Sequence, residues 1–180
     1  METLTKTKWG VDKAHSEIQF KAKHLMISNV TIKLTEYDLS AETEGTDFSS
    51  AVINLSGEVK SLTSGNEQRD QHMMGDDFFD VAKFPKMIFA STSLKKESDD
   101  LYEVHGNLTL RGTTRPVTFK AEFGGIVKDP YGNTKAGFHV TGKVNRKDFG
   151  LKFHAATETG GLVVSDEIKL DAEIELVMAK

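Results

Sequence analysis

Residues 101–123 read LYEVHGNLTLRGTTRPVTFKAEF, and two half-buried β-strands are written into them. Tyr102, Val104, Leu108 and Leu110 alternate with Glu103, His105, Asn107 and Thr109. Val117, Phe119, Ala121 and Phe123 alternate with Thr118, Lys120 and Glu122. A side-chain period of two places one set on a dry face and the other in water, as in antiparallel strands solvated on one side. A parallel sheet covered on both faces would read as unbroken apolar runs instead.

The same period recurs outward in both directions. Ile18, Phe20 and Ala22 alternate with Gln19, Lys21 and Lys23, and Ala51, Ile53, Leu55 and Val59 with Asn54, Glu58 and Lys60. Phe138, Val140 and Val144 alternate with His139, Thr141 and Lys143. Ile168, Leu170, Ala172, Ile174 and Leu176 alternate with Glu167, Lys169, Asp171, Glu173 and Glu175. Two less regular segments, 30–39 and 87–94, bring the total to about eight strands. Asp129-Pro130-Tyr131-Gly132-Asn133, residues 97–100 and Gly124-Gly125 read as the turns between them. Gly57, Gly106 and Gly142 fall on apolar faces, where glycine marks a bend or a close approach. Residues 66–81, NEQRDQHMMGDDFFDV, lack alternation and read as a short helical excursion, capped by Asn66 and stopped after Met74 by Gly75. No repeat or linker divides residues 1–180, so the chain is expected to be one domain. Eight such strands suit either a sandwich or a small barrel, and a barrel of this size can enclose one ligand.

Composition narrows the function. The chain of 180 residues is 38% hydrophobic and 28% charged, which is globular rather than disordered. Its net charge of −4, without a basic block, disfavours nucleic acid. With no cysteine, disulfides, thiol nucleophiles and cysteine metal sites are excluded. The six histidines fall in no metal-binding spacing, so no metal and no required cofactor is expected. No apolar run reaches transmembrane length. The opening METLTKTKWGVD contains no apolar export signal, which reads as cytoplasmic; a chain whose export signal had been removed, and which was periplasmic, would read the same. Eleven phenylalanines stand against one tryptophan and three tyrosines. Phenylalanine has no polar tip to satisfy, so it lines a dry space as readily as it fills a core.

Several segments together resemble the YceI-like family. They are Trp9-Gly10-Val11-Asp12 followed by His15-Ser16-Glu17-Ile18-Gln19-Phe20 and His24; Arg69-Asp70-Gln71-His72; DDFFDVAKFPKMIFAS at 76–91; NLTLRGTTRPV at 107–117; Asn145-Arg146-Lys147-Asp148-Phe149-Gly150; and Ser165-Asp166-Glu167-Ile168. One departure stands at residues 30–34, VTIKL, where the family pattern V-x-G-x-F has Gly and Phe in place of Ile32 and Leu34. The resemblance implies an all-β, eight-stranded antiparallel lipocalin-like barrel with an apolar pore. It also implies binding, storage or transport of a long-chain isoprenoid lipid, either an isoprenoid quinone or a prenyl phosphate, without catalysis.

Such a chain needs a dry, elongated cavity. For roughly forty carbons, about −0.3 kcal/mol per heavy atom gives about −12 kcal/mol, near nanomolar, without a hydrogen bond. The expected lining is Ile18, Phe20, Ile53, Leu55, Val104, Leu108, Phe119, Phe138, Val140, Ile174 and Leu176, although the same stripes equally suit a solid core. Phe78, Phe79 and Phe84 flank the helix and either gate or plug a barrel mouth. His24 and Arg146 continue dry-face parity, where a polar group needs a partner or a mouth. Either they meet the ligand's head group, or Arg146 forms an internal ion pair with Asp70 or Asp148. Arg69, Asp70 and His72 admit a lipid-modifying hydrolase or isomerase, but no nucleophile elbow accompanies them. A closed barrel acting through its surface is the third reading. The outward faces are mostly charged and leave a homodimer undecided; a lipid cargo is compatible with transient membrane contact.

Overall fold

The alternating segments pair edge to edge until the sheet meets itself. The structure, a computed structural model, describes residues 5–153 and 164–180. Its strands are β1 (Lys6–Val11), β2 (Glu17–His24), β3 (Ser28–Leu34), β4 (Tyr37–Glu44), β5 (Asp47–Glu58), β6 (Leu62–Thr63), β7 (Lys86–Ser98), β8 (Leu101–Leu110), β9 (Thr113–Lys128), β10 (Thr134–Asn145) and β11 (Glu167–Met178). One α-helix, α1 (Glu67–Met74), lies between β6 and β7. Neighbours run β1-β4-β5-β7-β8-β9-β10-β11, and β11 pairs back onto β1, so eight antiparallel strands close a barrel. Closure leaves no open edge in the ring.

The eight ring strands are not the eight that alternation marks. β11 is shared, with residues 176–178 on β1 and residues 169–173 on β2. β2, β3 and β6 therefore form a flap beside the ring. β1 carries only Trp9 and Val11 on its dry parity, too short a run to read. Segment 30–39 is two strands, turned at Thr35 and Glu36; Thr35 Oγ1 donates to the Ser61 carbonyl and the Glu36 amide donates to Ser61 Oγ, both at 2.9 Å. Gly124 and Gly125, read as a turn, lie inside β9. The register with β10 slips there and Gly125 takes φ +111°, a bulge that bends the strand around the barrel. The helix begins and ends as read, with Asn66 Oδ1 accepting from the Arg69 amide at 3.0 Å and Gly75 following Met74 as its C-cap; the rest of the excursion, to residue 81, is irregular and turn-rich.

Two apolar-face glycines are places of close approach. The ring of Phe89 covers Gly106, where an added Cβ would lie 2.5 Å from Phe89 Cζ and 2.6 Å from the Ala90 carbonyl oxygen. Phe119 covers its cross-strand partner Gly142 in the same way. Because a backbone carbonyl cannot swing aside, Gly106→Ala is expected to lower stability by about 1–3 kcal/mol in urea unfolding.

Outside the barrel, Lys135 Nζ of β10 reaches Asp12 and Glu175 at 2.9 Å each and Asp129 at 3.7 Å. It ties the end of β1 to β11 and to the β9–β10 turn. Asp12, His15 and Glu175 gather metal-ligand atoms, but the Lys135 ammonium already bonds both carboxylates. The hydrogen bonds from Lys135 and His15 hold the Asp12 carboxyl at about 2, below its ordinary 3.8. A carboxyl depressed by folding stabilises above its unfolded value and loses that contribution as pH falls through its folded one. The thermal midpoint is therefore expected to drop between about pH 4 and pH 2. Asp12→Asn should melt earlier than the parent at pH 5 and converge with it near pH 2, as a pH series of melts would record.

Candidate functional site

The dry faces do not meet in the middle. They enclose a cavity of about 660 Å³, within the roughly 300–1,000 Å³ span of ligand sites. Ile18, Phe20, Ile53, Leu55, Val104, Leu108, Phe119, Phe138, Val140, Ile174 and Leu176 all lie on its wall. Across β9, β10, β11 and β2 the register sets Ala121, Val140, Ala172 and Ile18 side by side. Two of these four are alanines, and the space their short side chains leave is part of the tunnel. Phe20, Ile53, Leu55, Phe138 and Val140 are only half-buried although they point inward.

One end is floored by aromatic rings. Phe48 packs 5.0 Å from Trp9 and 4.9 Å from Phe138, and Phe123 stacks on Phe138 at 5.1 Å. Trp9 Nε1 donates to the buried Thr43 Oγ1 at 2.9 Å, which satisfies the indole without a polar atom facing the cavity. Phe48 escaped the sequence reading because a parity break separates it from Ala51, the next buried position of β5.

The opposite end is the mouth, where β2 and β10 finish and α1 lies. Asn66, Gln68, Arg69, His72 and Met73 of the helix and its cap line it, with Lys23, His24, Phe78, Phe79, Leu151, Phe153 and Val164. His72 stands edge-on to Phe78 and Phe153 at 5.1 and 5.0 Å, and its Nε2 lies 2.8 Å from Asp77 Oδ2. The Arg111 guanidinium donates to the carbonyls of Phe78 at 2.8 Å and Gly150 at 3.4 Å, joining the turn after α1 to the segment after β10. Phe84, grouped with Phe78 and Phe79 in the sequence, is not on the wall: its ring packs over Gly112, whose φ of +69° turns β8 into β9. Phe153 and the helix residues next to the mouth carry no periodic signal, since only tertiary folding brings them to the cavity.

The two inward-parity polar residues differ. His24 is exposed at the mouth, bridged to Val164. Arg146 is 4% exposed and occupied. Its Nη1 donates to the Leu151 carbonyl at 2.6 Å, its Nε to Ser165 at 2.9 Å and its Nη2 to Val164 at 3.3 Å. The ion-pair partner is Asp166 at 3.4 Å, rather than Asp70 or Asp148. Desolvation lowers the Arg146 pKa and the Asp166 charge opposes this. Asp70 is engaged elsewhere, accepting from Thr63 Oγ1 at 2.8 Å, the Ser64 amide at 2.8 Å and Ser64 Oγ at 2.6 Å. These bonds pin the loop to the helix and hold the Asp70 pKa down against the raising effect of burial. The charged groups on the described wall are Lys23, Arg69 and Arg146, with the titratable His24 and His72; no Asp or Glu is among them.

Comparison with known proteins agrees with this architecture. A family model described as the YceI-like domain matches residues 9–176. The chain belongs to the YceI-like family. A UPF0312 protein of Staphylococcus aureus is 34% identical over 175 residues, covering 97% of this chain and 99% of that protein. The YceI protein of Campylobacter jejuni is 31% identical, with all of both chains covered and a TM-score of 0.77. A polyisoprenoid binding domain from Saccharophagus degradans superposes at a TM-score of 0.68 with 15% identity, over 95% of this chain and 98% of that one. At that identity the likeness concerns the fold alone. The YceI-like barrel thus has a floor of aromatic rings, a wall thinned by alanines and a mouth lined by basic residues.

Proposed function

We propose that the protein binds a long-chain isoprenoid lipid in this tunnel, to store it or carry it between membranes or enzymes. The observation that carries the reading is the unfilled apolar interior, with its floor at Phe48 and Phe138 and its mouth at α1. A hydrocarbon tail recovers the contacts that facing side chains would otherwise make with one another. The named polyisoprenoid binding of the Saccharophagus domain, on the same fold, supports this choice of tail.

The head group of such a ligand rests at the mouth. Lys23, Arg69, His24 and His72 line that opening without a lining carboxylate, so a prenyl phosphate is favoured over a quinone. Arg146 is read as a structural tie, because backbone carbonyls already take its donors. The reading needs no catalytic step: Asp70 is held by Thr63 and Ser64, and the carboxylate beside His72 is that of Asp77, at 2.8 Å.

The test is mass spectrometry of organic extracts from gently purified protein. A prenyl phosphate near one per chain is the expected result; an isoprenoid quinone would keep the tail and overturn the head group. Extracts containing no isoprenoid would refute the proposal.

A further inference from the structure

The β2–β3 hairpin ends in an exposed apolar tip. Leu25, Met26 and Ile27 are 39%, 48% and 84% exposed, three large apolar side chains in succession. The backbone presenting them is strained. The Ile27 amide donates to the His24 carbonyl at 3.1 Å, and Leu25 and Met26, at the centre of that turn, take φ of +52° and +61°. Such a turn is normally built from Asn and Gly, because side chains like these disfavour the left-handed region. The sequence spends both strain and solubility on this tip.

Its surroundings identify what the tip meets. From Ile18 to Thr35 the chain contains three lysines and no acid, in a protein whose net charge is −4. Lys33 pairs with Glu17 and Lys21 lies 3.8 Å from Asp171, both towards the base of the hairpin. Lys23, next to the tip, is exposed and has no carboxylate within ion-pair distance among the described residues. Lys23 and His24 also line the tunnel mouth, together with Arg69 of α1. An apolar wedge flanked by basic groups fits a bilayer bearing anionic headgroups, where the wedge enters the acyl boundary and the cations meet phosphates.

We propose that the Leu25-Met26-Ile27 tip docks the barrel mouth onto an anionic membrane surface, where cargo enters and leaves. The inference rests on the lipid-carrier reading for its purpose. The strained turn and the charge pattern stand independently of it.

The experiment is co-sedimentation with vesicles of phosphatidylglycerol and phosphatidylcholine against vesicles of phosphatidylcholine alone, using the full chain and the triple variant Leu25→Asn, Met26→Gly, Ile27→Ser. The full chain is expected to pellet with the anionic vesicles and not with the neutral ones. The variant should bind roughly tenfold less or weaker still, having lost three apolar insertions. It should melt no lower than the parent, since its turn residues now suit the backbone, and its extracted lipid should be unchanged. A full chain that ignores anionic vesicles, or a variant that binds them equally, overturns the docking proposal. So does sedimentation velocity in which the tip variant alone is monomeric, since a second copy would then cover the tip. Lipid-free extracts from a full chain that still binds vesicles would defeat the carrier reading and leave docking standing.

Discussion

Val140→Trp is expected to leave the barrel folded and empty it. Val140 stands on the tunnel wall between Ala121 and Ala172, its direct partners on β9 and β11, whose short side chains leave space beside it. An indole there projects into the tunnel. In a filled core such an enlargement costs about 1–3 kcal/mol, but space already exists at this position, so the loss should fall below about 1.5 kcal/mol. Displacing about four methylene-sized groups of a bound tail, at ~0.8 kcal/mol each, removes ~3 kcal/mol and lowers affinity roughly a hundredfold. Val52→Trp is the control, because Val52 faces outward on β5 and is exposed. Lipid extracted per chain should collapse in the first variant and hold in the second, with similar melting curves. Equal lipid in both would mean that no tail passes Val140.

Arg146→Ala is expected to act in the opposite way, through the fold. The side chain is buried, and its loss strands the carbonyls of Leu151, Val164 and Ser165 and leaves Asp166 without its nearest guanidinium. Unsatisfied buried acceptors together with a broken buried pair should cost about 3 kcal/mol, or roughly 6–12 °C in thermal midpoint. Arg146→Lys should recover little of this, since one ammonium cannot replace a planar fork that reaches three carbonyls in different directions. An unchanged midpoint with lost lipid would instead make Arg146 a ligand for the head group.

Much of this molecule is legible in its sequence because one-sided strands repeat at period two. The eleven dry-face residues expected to line a cavity, from Ile18 to Leu176, all stand on its wall, whereas Ala51, Val59, Val117 and Phe123 of the same stripes do not. What alternation cannot convey is whether opposing faces touch. That depends on the barrel's circumference and on where alanines such as Ala121 and Ala172 align across strands, which is a matter of register between distant segments. The mouth was least legible. His72 and Phe153 are brought together by the closing of the chain over α1, and Phe84, close in sequence to Phe78, is drawn away to cover Gly112. Arg146 was marked by parity as unusual, but its partner Asp166 lies on the approach to another strand. Strain was equally hidden: nothing in the letters Leu25 and Met26 announces a left-handed backbone.

The central claim is that a hydrocarbon tail occupies the space between the Phe48–Phe138 floor and the mouth beside α1. Crystallographic density from protein purified without detergent is its most direct test. A continuous tube passing Val140 and ending near Lys23 and Arg69 is the expected result. A repacked interior, with Val140 in contact with side chains of the facing strands and no continuous tube of density, would contradict it.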